Sequence, residues 1–144
     1  MNKEILHRAI GLLAGREHAE KELVDKLKLK KYQLEDISPV VAYLQENNYQ
    51  CDQRYAESYC RTRVNKGYGW QYIKQALVQK DVSHAIIADI KLNDDTDWYL
   101  QAELVYEKKF GAKEIVDQKD KAKRVRFLQS RGFSTDQIIS VINR

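Results

Sequence analysis

Residues 63–83 read RVNKGYGWQYIKQALVQKDVS and place basic side chains beside a Gly-Tyr-Gly turn. Two chemistries suit such a stretch: a loop that grips phosphate through backbone N–H groups, or a bend between helices on a cationic surface. A nucleotide-hydrolysing phosphate loop follows a buried strand and has the spacing GxxxxGK[ST]. Here a helical pattern precedes the turn, and Lys66-Gly67-Tyr68-Gly69 lacks that spacing. We therefore expect a bend, with Gly67 and Gly69 at positive φ and Tyr68 packed across it.

The other residues with binding chemistry are cations and aromatic rings. One basic group lies around the turn, on the helices before and after it, and a second lies in KAKRVRFLQSRGF (121–133). Helical spacing places Arg54 and Arg61, seven apart, on one outer stripe. The predicted partner-binding residues are Arg54, Arg61, Arg63, Lys66, Tyr68, Trp70, Lys74, Lys121, Lys123, Arg124, Arg126 and Arg131. Most aromatic rings should fill cores, but we expect Trp70 to be exposed because it opens a helix beside the glycine turn.

Charge is unevenly distributed along the chain, which carries a net charge of +4. Residues 54–80 carry +5 and residues 108–131 carry +6, separated by −6 over residues 81–107. This pattern favours steering toward a polyanion or an acidic protein surface. A solvated helix surface of mixed charge is the alternative. The attraction of cations to helix C-termini would account for Arg63 and Lys66, though not for all the basic residues of 121–131.

No arrangement for catalysis or metal binding stands out. The histidines and cysteines are scattered, at His7, His18, His84, Cys51 and Cys60. The cysteine spacing fits neither a zinc site nor a redox pair, and the acidic run at 94–97 lacks the calcium-loop pattern. We expect no enzyme activity, no cofactor and no metal. Charged residues also interrupt the first twenty positions, so we expect no signal peptide and no membrane association.

The elements that position these residues are helices. Apolar side chains recur three and four apart, and no useful strand-like alternation appears. Residues 77–87 (LVQKDVSHAII) align with 128–138 (LQSRGFSTDQI) at an offset of 51, and 27–37 (LKLKKYQLEDI) align at an offset of 50. The sequence predicts an all-α protein of three tandem three-helix, helix-turn-helix-like repeats, forming an elongated, curved molecule. The repeats would span residues 1–50, 51–96 and 97–144. Ser38-Pro39 predicts the start of a helix in the first repeat.

In their order and spacing, several segments resemble the RecX family of bacterial regulatory proteins. The matching segments are REHAEKEL (16–23), NNYQCDQRYA (47–56), RVNKGYGWQYIKQALVQKDVS (63–83), DW (97–98), KKFG (108–111) and KAKRVRFLQSRGF (121–133). The resemblance covers nearly the whole chain and implies a modulator of RecA that is not itself an enzyme. It implies a protein that lies in the groove of the RecA–DNA filament and holds down strand exchange, ATP hydrolysis and coprotease activity in recombination, repair and the SOS response. We expect this protein to be cytoplasmic, because the first twenty residues lack a signal peptide, and to be a monomer.

Four positions depart from that family pattern. Ala19 stands where a serine N-cap is usual, Asn48 where glycine is preferred, Trp70 where proline opens a helix, and Asp81 where glycine ends one. We expect Asp81 to be left-handed, a conformation that aspartate tolerates better than most residues. The lost cap at Ala19 would cost about 1 kcal/mol.

Two binding functions remain open at the level of sequence. The first is modulation of the RecA–DNA filament, and the second is sequence-independent binding of single- or double-stranded DNA, which would act by competition for single-stranded DNA. Net positive charge suits both. In the second case about six phosphate contacts would give a slope of log K against log salt near about −5.

Overall fold

The computed structural model describes residues 1–143 and contains nine α-helices and no strand in that range, which confirms the all-α prediction. The helices are α1 (Lys3–Gly15), α2 (Glu20–Leu29), α3 (Leu34–Glu46), α4 (Asp52–Asn65), α5 (Trp70–Gln79), α6 (His84–Leu92), α7 (Trp98–Phe110), α8 (Gln118–Ser130) and α9 (Thr135–Ile142). None of these helices is long and apolar enough to cross a membrane.

The chain divides into two compact units. The first unit comprises Met1–Ser58 and Leu77–Lys91, and the second comprises Tyr59–Ala76 and Leu92–Arg144. The division passes through α4 and α5 and before the last residue of α6, so it does not coincide with the ends of helices. The repeat limits at 1–50, 51–96 and 97–144 stay a prediction.

The core of the first unit lies between α1, α2 and α3. Its buried side chains recur three and four residues apart along each helix, as an amphipathic pattern requires. They are Ile5, Ala9, Leu23, Leu27, Ile37, Val40, Val41 and Leu44. The apolar faces read from the sequence therefore point inward.

The start of α3 differs from the prediction. The helix begins at Leu34, because the N–H groups of Asp36 and Ile37 already donate to the carbonyl of Gln33 at 2.9 and 3.0 Å. Pro39 then lies inside the helix rather than in its first turn. It is exposed, so water can replace the backbone bond that its missing N–H removes.

The second unit builds a core from α7, α8 and α9. Its buried side chains are Ala102, Tyr106, Leu128, Phe133, Ile138 and Val141. Ser134 begins α9 with a reciprocal cap: its hydroxyl accepts from the N–H of Gln137 at 3.2 Å, and the Gln137 side chain accepts from the Ser134 N–H at 2.9 Å. This pairing satisfies two donors at the helix start.

A left-handed residue ends the turn that leads into α3, α6 and α9. These residues are Lys31 (φ 69°), Asp81 (φ 56°) and Gly132 (φ 94°), which occupy corresponding places in the sequence repeats. Asn48, after α3, is also left-handed at φ 60°. The expectation for Asp81 is therefore confirmed.

Replacing Asp81 by glycine should raise the free energy of unfolding by about 0.5–1 kcal/mol, because glycine has no Cβ to oppose a positive φ. Urea denaturation followed by circular dichroism measures the change. In the control, Asp25→Gly places glycine on the exposed face of α2, where it should cost about 0.5 kcal/mol. Equal losses in both variants would contradict the left-handed conformation of Asp81.

Candidate functional site

The glycine turn after α4 lies against the turn between α8 and α9 in the second unit. The N–H of Gly69 donates to the carbonyl of Arg131 at 2.7 Å, and the N–H of Gln71 donates to the carbonyl of Gly132 at 3.0 Å. A Cβ on Gly69 would lie 2.6 Å from the carbonyl carbon of Gly132 and 2.8 Å from the nitrogen of Phe133. The two turns therefore approach more closely than any side chain on Gly69 would allow.

The two glycines of the turn have different roles. Gly67 has φ +88° and ends α4 with its N–H donating to the carbonyl of Val64 at 3.0 Å, as expected for a helix-ending glycine. The expectation of a positive φ at Gly69 is wrong. Gly69 is required by the close approach of Gly132, a contact between residues 63 positions apart that local spacing does not indicate.

Stacked rings and guanidinium groups surround this turn. The rings of Tyr68 and Tyr72 stack with centroids 4.1 Å apart. The guanidinium carbon of Arg131 lies 4.9 Å from the Tyr68 ring centroid. That of Arg63 lies 5.7 Å from the same centroid and 5.0 Å from the centroid of Tyr59. Cation–π attraction fixes both arginines, and we call these five side chains the Tyr68 cluster.

A groove of about 380 Å³ opens beside the Tyr68 cluster. Its cations are Lys66, Lys108, Lys109 and Arg131, and its apolar lining includes Val64, Leu104, Val105 and Phe127. We call it the basic groove. Lys108 and Lys109 were not among the predicted binding residues. Both lysines belong to the KKFG segment (108–111), which is one of the sequence motifs given above. Only the fold, however, brings α7 beside the end of α4.

Eleven of the twelve predicted binding residues lie in the second unit, and Arg54 alone lies in the first. Arg61, Lys74, Lys123 and Arg126 are exposed and Lys121 is half-buried. The Nε of Arg54 donates to the carboxylate of Glu17 at 2.6 Å, and its Nη2 donates to the carbonyl of Asn48 at 2.9 Å. The hydrogen bond to Glu17 raises the pKa of Arg54. Arg54 therefore holds the segment after α3 in place.

Arg124 lies in the interior of the second unit and is 4% exposed. Its Nη1 donates to the hydroxyl of Tyr106 at 2.7 Å and to the carbonyl of Lys113 at 2.8 Å. The carboxylate of Asp120 accepts from its Nε and Nη2 at 3.2 and 3.1 Å. These contacts raise the pKa of Arg124, with the bond to Tyr106 as the largest cause. The guanidinium is used within the fold, so we leave Arg124 out of the binding surface.

Trp70 is 5% exposed, so the expectation of an open ring is wrong. Its ring centroid lies 6.3 Å from that of Trp98, with the planes tilted by 55°. The turn at Gly69 brings the start of α5 to the start of α7, and this contact between distant segments buries the ring. Both tryptophans of the chain thus report on the second unit.

Three family profiles match this chain in sequence. They describe the first, second and third three-helix domains of RecX and match residues 6–44, 52–89 and 95–142. The chain belongs to the RecX family. The resemblance read from the sequence motifs is confirmed, and so is the repeat of three three-helix domains.

Individual RecX proteins are similar over most of their length. The regulatory protein RecX of Vibrio campbellii is 45% identical over 130 residues, which cover 90% of this chain and 84% of that protein. That of Acinetobacter baylyi is 41% identical over 136 residues, covering 94% and 84%. The crystal structure of RecX from Lactobacillus salivarius has a TM-score of 0.77 at 26% identity, covering 98% of this chain and 94% of that one. These RecX proteins support a regulatory role for the chain.

The first unit of this RecX family member contains a buried polar network that sequence spacing did not indicate. Glu22, 6% exposed, accepts from the Arg16 guanidinium at 2.8 and 3.1 Å and from the N–H of Ala19 at 3.1 Å. Burial opposes ionisation, but these hydrogen bonds hold the pKa of Glu22 below its ordinary value. The Asp52 carboxylate also accepts from the N–H of Glu20 at 2.8 Å. Two carboxylates thus accept from the N–H groups of Ala19 and Glu20 at the start of α2, where alanine supplies no side-chain acceptor.

His18 belongs to the same network and is 2% exposed. Its Nδ1 lies 3.0 Å from the carbonyl of Arg16, and its Nε2 lies 2.8 Å from the Nζ of Lys26. The first contact requires a proton on Nδ1, and the second leaves Nε2 to accept from the ammonium. Burial is the largest cause that lowers the pKa of His18. The ring is therefore neutral in the folded RecX domain.

Stability should fall as the pH drops through 6.5, the ordinary pKa of histidine. The unfolded chain then binds a proton more readily than folded His18, so the free energy of unfolding should decrease as the pH falls from about 7.5 to about 5.5. Urea titrations followed by circular dichroism measure it. His18→Asn keeps a donor for the Arg16 carbonyl and should lose this part of the pH dependence. The exposed control His84→Asn should retain it, and equal slopes in both variants would contradict the assignment.

The His, Cys, Asp and Glu side chains of the described residues are not grouped for metal binding. Within residues 1–143, no group of three His, Cys, Asp or Glu side chains lies where it could hold one metal ion. Burial raises the pKa of Cys60 to about 11, so this thiol stays protonated at neutral pH.

Proposed function

We propose that this RecX family member binds the RecA–DNA filament and lowers its recombinase, ATPase and coprotease activities. The observation that carries the proposal is the basic groove beside the Tyr68 cluster, held by the contact between Gly69 and Gly132. The regulatory role of RecX proteins supports it. The protein would act in the cytoplasm, as a monomer.

Electrostatic complementarity fits such a target. Among the described residues, the exposed cations of the second unit are Arg61, Lys66, Lys74, Lys108, Lys109, Lys113, Lys119, Lys123 and Arg126. A RecA filament on DNA presents phosphates and acidic protein side chains over a long surface. Complementary charge speeds the encounter with such a surface and disfavours cationic partners. Cations spread over α4, α5, α7 and α8 would then engage more than one point of the target.

Binding of DNA alone is the second candidate, because Tyr59 and Tyr68 are half-buried beside arginines. Single strands bind through rings on which bases stack. The ring of Tyr68, however, already stacks on Tyr72 and contacts Arg131. Little of its surface remains for a base, so the arrangement favours the filament over naked DNA.

Reversing two exposed charges tests the surface. Arg61→Glu combined with Lys66→Glu should raise the concentration needed to inhibit RecA ATP hydrolysis by about tenfold, because two attractive interactions become repulsive. The control is Lys21→Glu combined with Lys28→Glu, which makes the same charge change at exposed positions of the first unit. Circular dichroism checks that both variants fold. If inhibition survives the first pair intact, the binding surface lies elsewhere.

A further inference from the structure

The rim of the basic groove is positively charged. Its lining contains four cations and no acidic side chain. Lys66, Lys108 and Lys109 are exposed, and the ion pairs described within residues 1–143 do not involve them. Glu103 and Glu107 also belong to α7 but lie outside the lining. The groove thus presents a positively charged rim.

The floor of the groove is apolar and open. Leu104 is 53% exposed, while Val105 and Phe127 are half-buried. Leu100 lies one helical turn before Leu104 on α7 and is 49% exposed. Covering such aliphatic surface is favourable by about 25 cal/mol per Å². A partner that matches the groove must therefore bring apolar side chains as well as negative charge.

A nucleic acid matches only half of this surface. Bases bind single-strand grooves by stacking on open aromatic faces. The Phe127 ring has the Arg131 guanidinium carbon 5.3 Å and the Lys109 Nζ 5.6 Å from its centroid, and Phe110 meets it edge-on at 5.5 Å. These neighbours occupy part of the ring surface that a base would need, and leucines do not replace an aromatic face. A protein segment supplies both carboxylates and aliphatic side chains.

The walls of the groove are fixed by contacts within the second unit. The side-chain nitrogen of Gln101 donates to the carbonyl of Val64 at 2.7 Å, which ties α7 to the end of α4. A Cβ on Gly67 would lie 3.2 Å from a methyl carbon of Val105, so the turn packs closely on α7. A preformed groove spends little entropy on ordering when a ligand binds.

From this geometry we infer that the basic groove binds an acidic peptide segment that places an aliphatic side chain on Leu104. The carboxylates lie against Lys66, Lys108 and Lys109, and the aliphatic side chain covers the floor. The inference rests on the proposed function only in taking the protein component of the filament as the source of this segment.

Fluorescence anisotropy with a labelled peptide of aspartates and glutamates around one central leucine tests the inference. The full chain should bind it, and a peptide with serine in place of leucine should bind more weakly. Lys108→Glu combined with Lys109→Glu should weaken binding by about tenfold, and Leu104→Ser by about fivefold. The matched controls are Lys113→Glu combined with Lys119→Glu, and Leu92→Ser. These residues are exposed and lie outside the groove, and the variants should bind like the unmodified chain.

Three results overturn the inference: no binding of the peptide, equal binding of the serine peptide, or groove variants that weaken an oligothymidylate and leave the peptide unaffected. RecA ATP hydrolysis is titrated in parallel with the same proteins. Inhibition by a chain that does not bind the peptide rejects the inference and leaves the proposed function standing. Peptide binding by a chain that does not inhibit RecA supports the inference and rejects the proposed function.

Discussion

Replacing Gly132 by alanine should lower the free energy of unfolding by about 3 kcal/mol. Gly132 has φ +94°, and a Cβ there would collide with the backbone nitrogen and the Cβ of Tyr72. The collision involves backbone, so a change of side-chain rotamer does not relieve it. Urea denaturation followed by tryptophan fluorescence measures the loss, because Trp70 and Trp98 both lie in the second unit.

The same substitution in α1 is the control for Gly132→Ala. Gly11 is helical and has no atom within 4 Å of an added Cβ, so Gly11→Ala should stabilise the protein by about 1 kcal/mol, as measured by circular dichroism. Gly132→Ala should also disturb the Tyr68 cluster and weaken inhibition of RecA. An unchanged urea midpoint for Gly132→Ala would contradict the close contact between the turns.

Replacing Arg124 by methionine should lower the melting temperature by roughly 10 °C. The change leaves the Tyr106 hydroxyl, the Asp120 carboxylate and the Lys113 carbonyl without their buried donor. Removing one partner of a buried, hydrogen-bonded charge is costly because the other groups stay desolvated. Thermal melts followed by tryptophan fluorescence measure the effect on the second unit.

Arg126→Met is the matched control, two positions further along α8 at an exposed site. Its melting temperature should stay close to that of the unmodified protein, while its inhibition of RecA should weaken. The opposite pattern, a stable Arg124→Met and an unstable Arg126→Met, would reverse the assignment of structural and binding roles.

Local patterns predicted the helices and the repeat. Apolar side chains three and four apart predicted helices, and they form the inward faces of α1 and α3. The repeat offset aligns Asp81 with Gly132, and the structure gives both a positive φ. These features depend on neighbours a few residues away, which the sequence displays directly. The start of α3 is the local exception, because the carbonyl of Gln33 accepts from the first N–H groups of the helix, which lie before Pro39 in the sequence.

The burial and grouping of the other site residues depend on contacts between segments that are distant in the sequence. Arg124 and Arg126 read alike in KAKRVRF, and only the position of Tyr106 distinguishes the buried arginine from the exposed one. Trp70 is covered because α5 begins beside Trp98. Lys108 and Lys109 lie beside Lys66 because the fold brings α7 next to the end of α4. One sequence without these distances predicts which side chains carry charge but not which of them meet.

The measurement that tests the central claim most directly is ATP hydrolysis by RecA on single-stranded DNA, titrated with this protein. The affinity of the protein for the same DNA alone is measured in the same salt. Recognition of the filament predicts inhibition at concentrations well below those at which the protein binds bare DNA. Inhibition that appears only as the DNA becomes saturated would contradict the claim and assign the effect to competition for DNA.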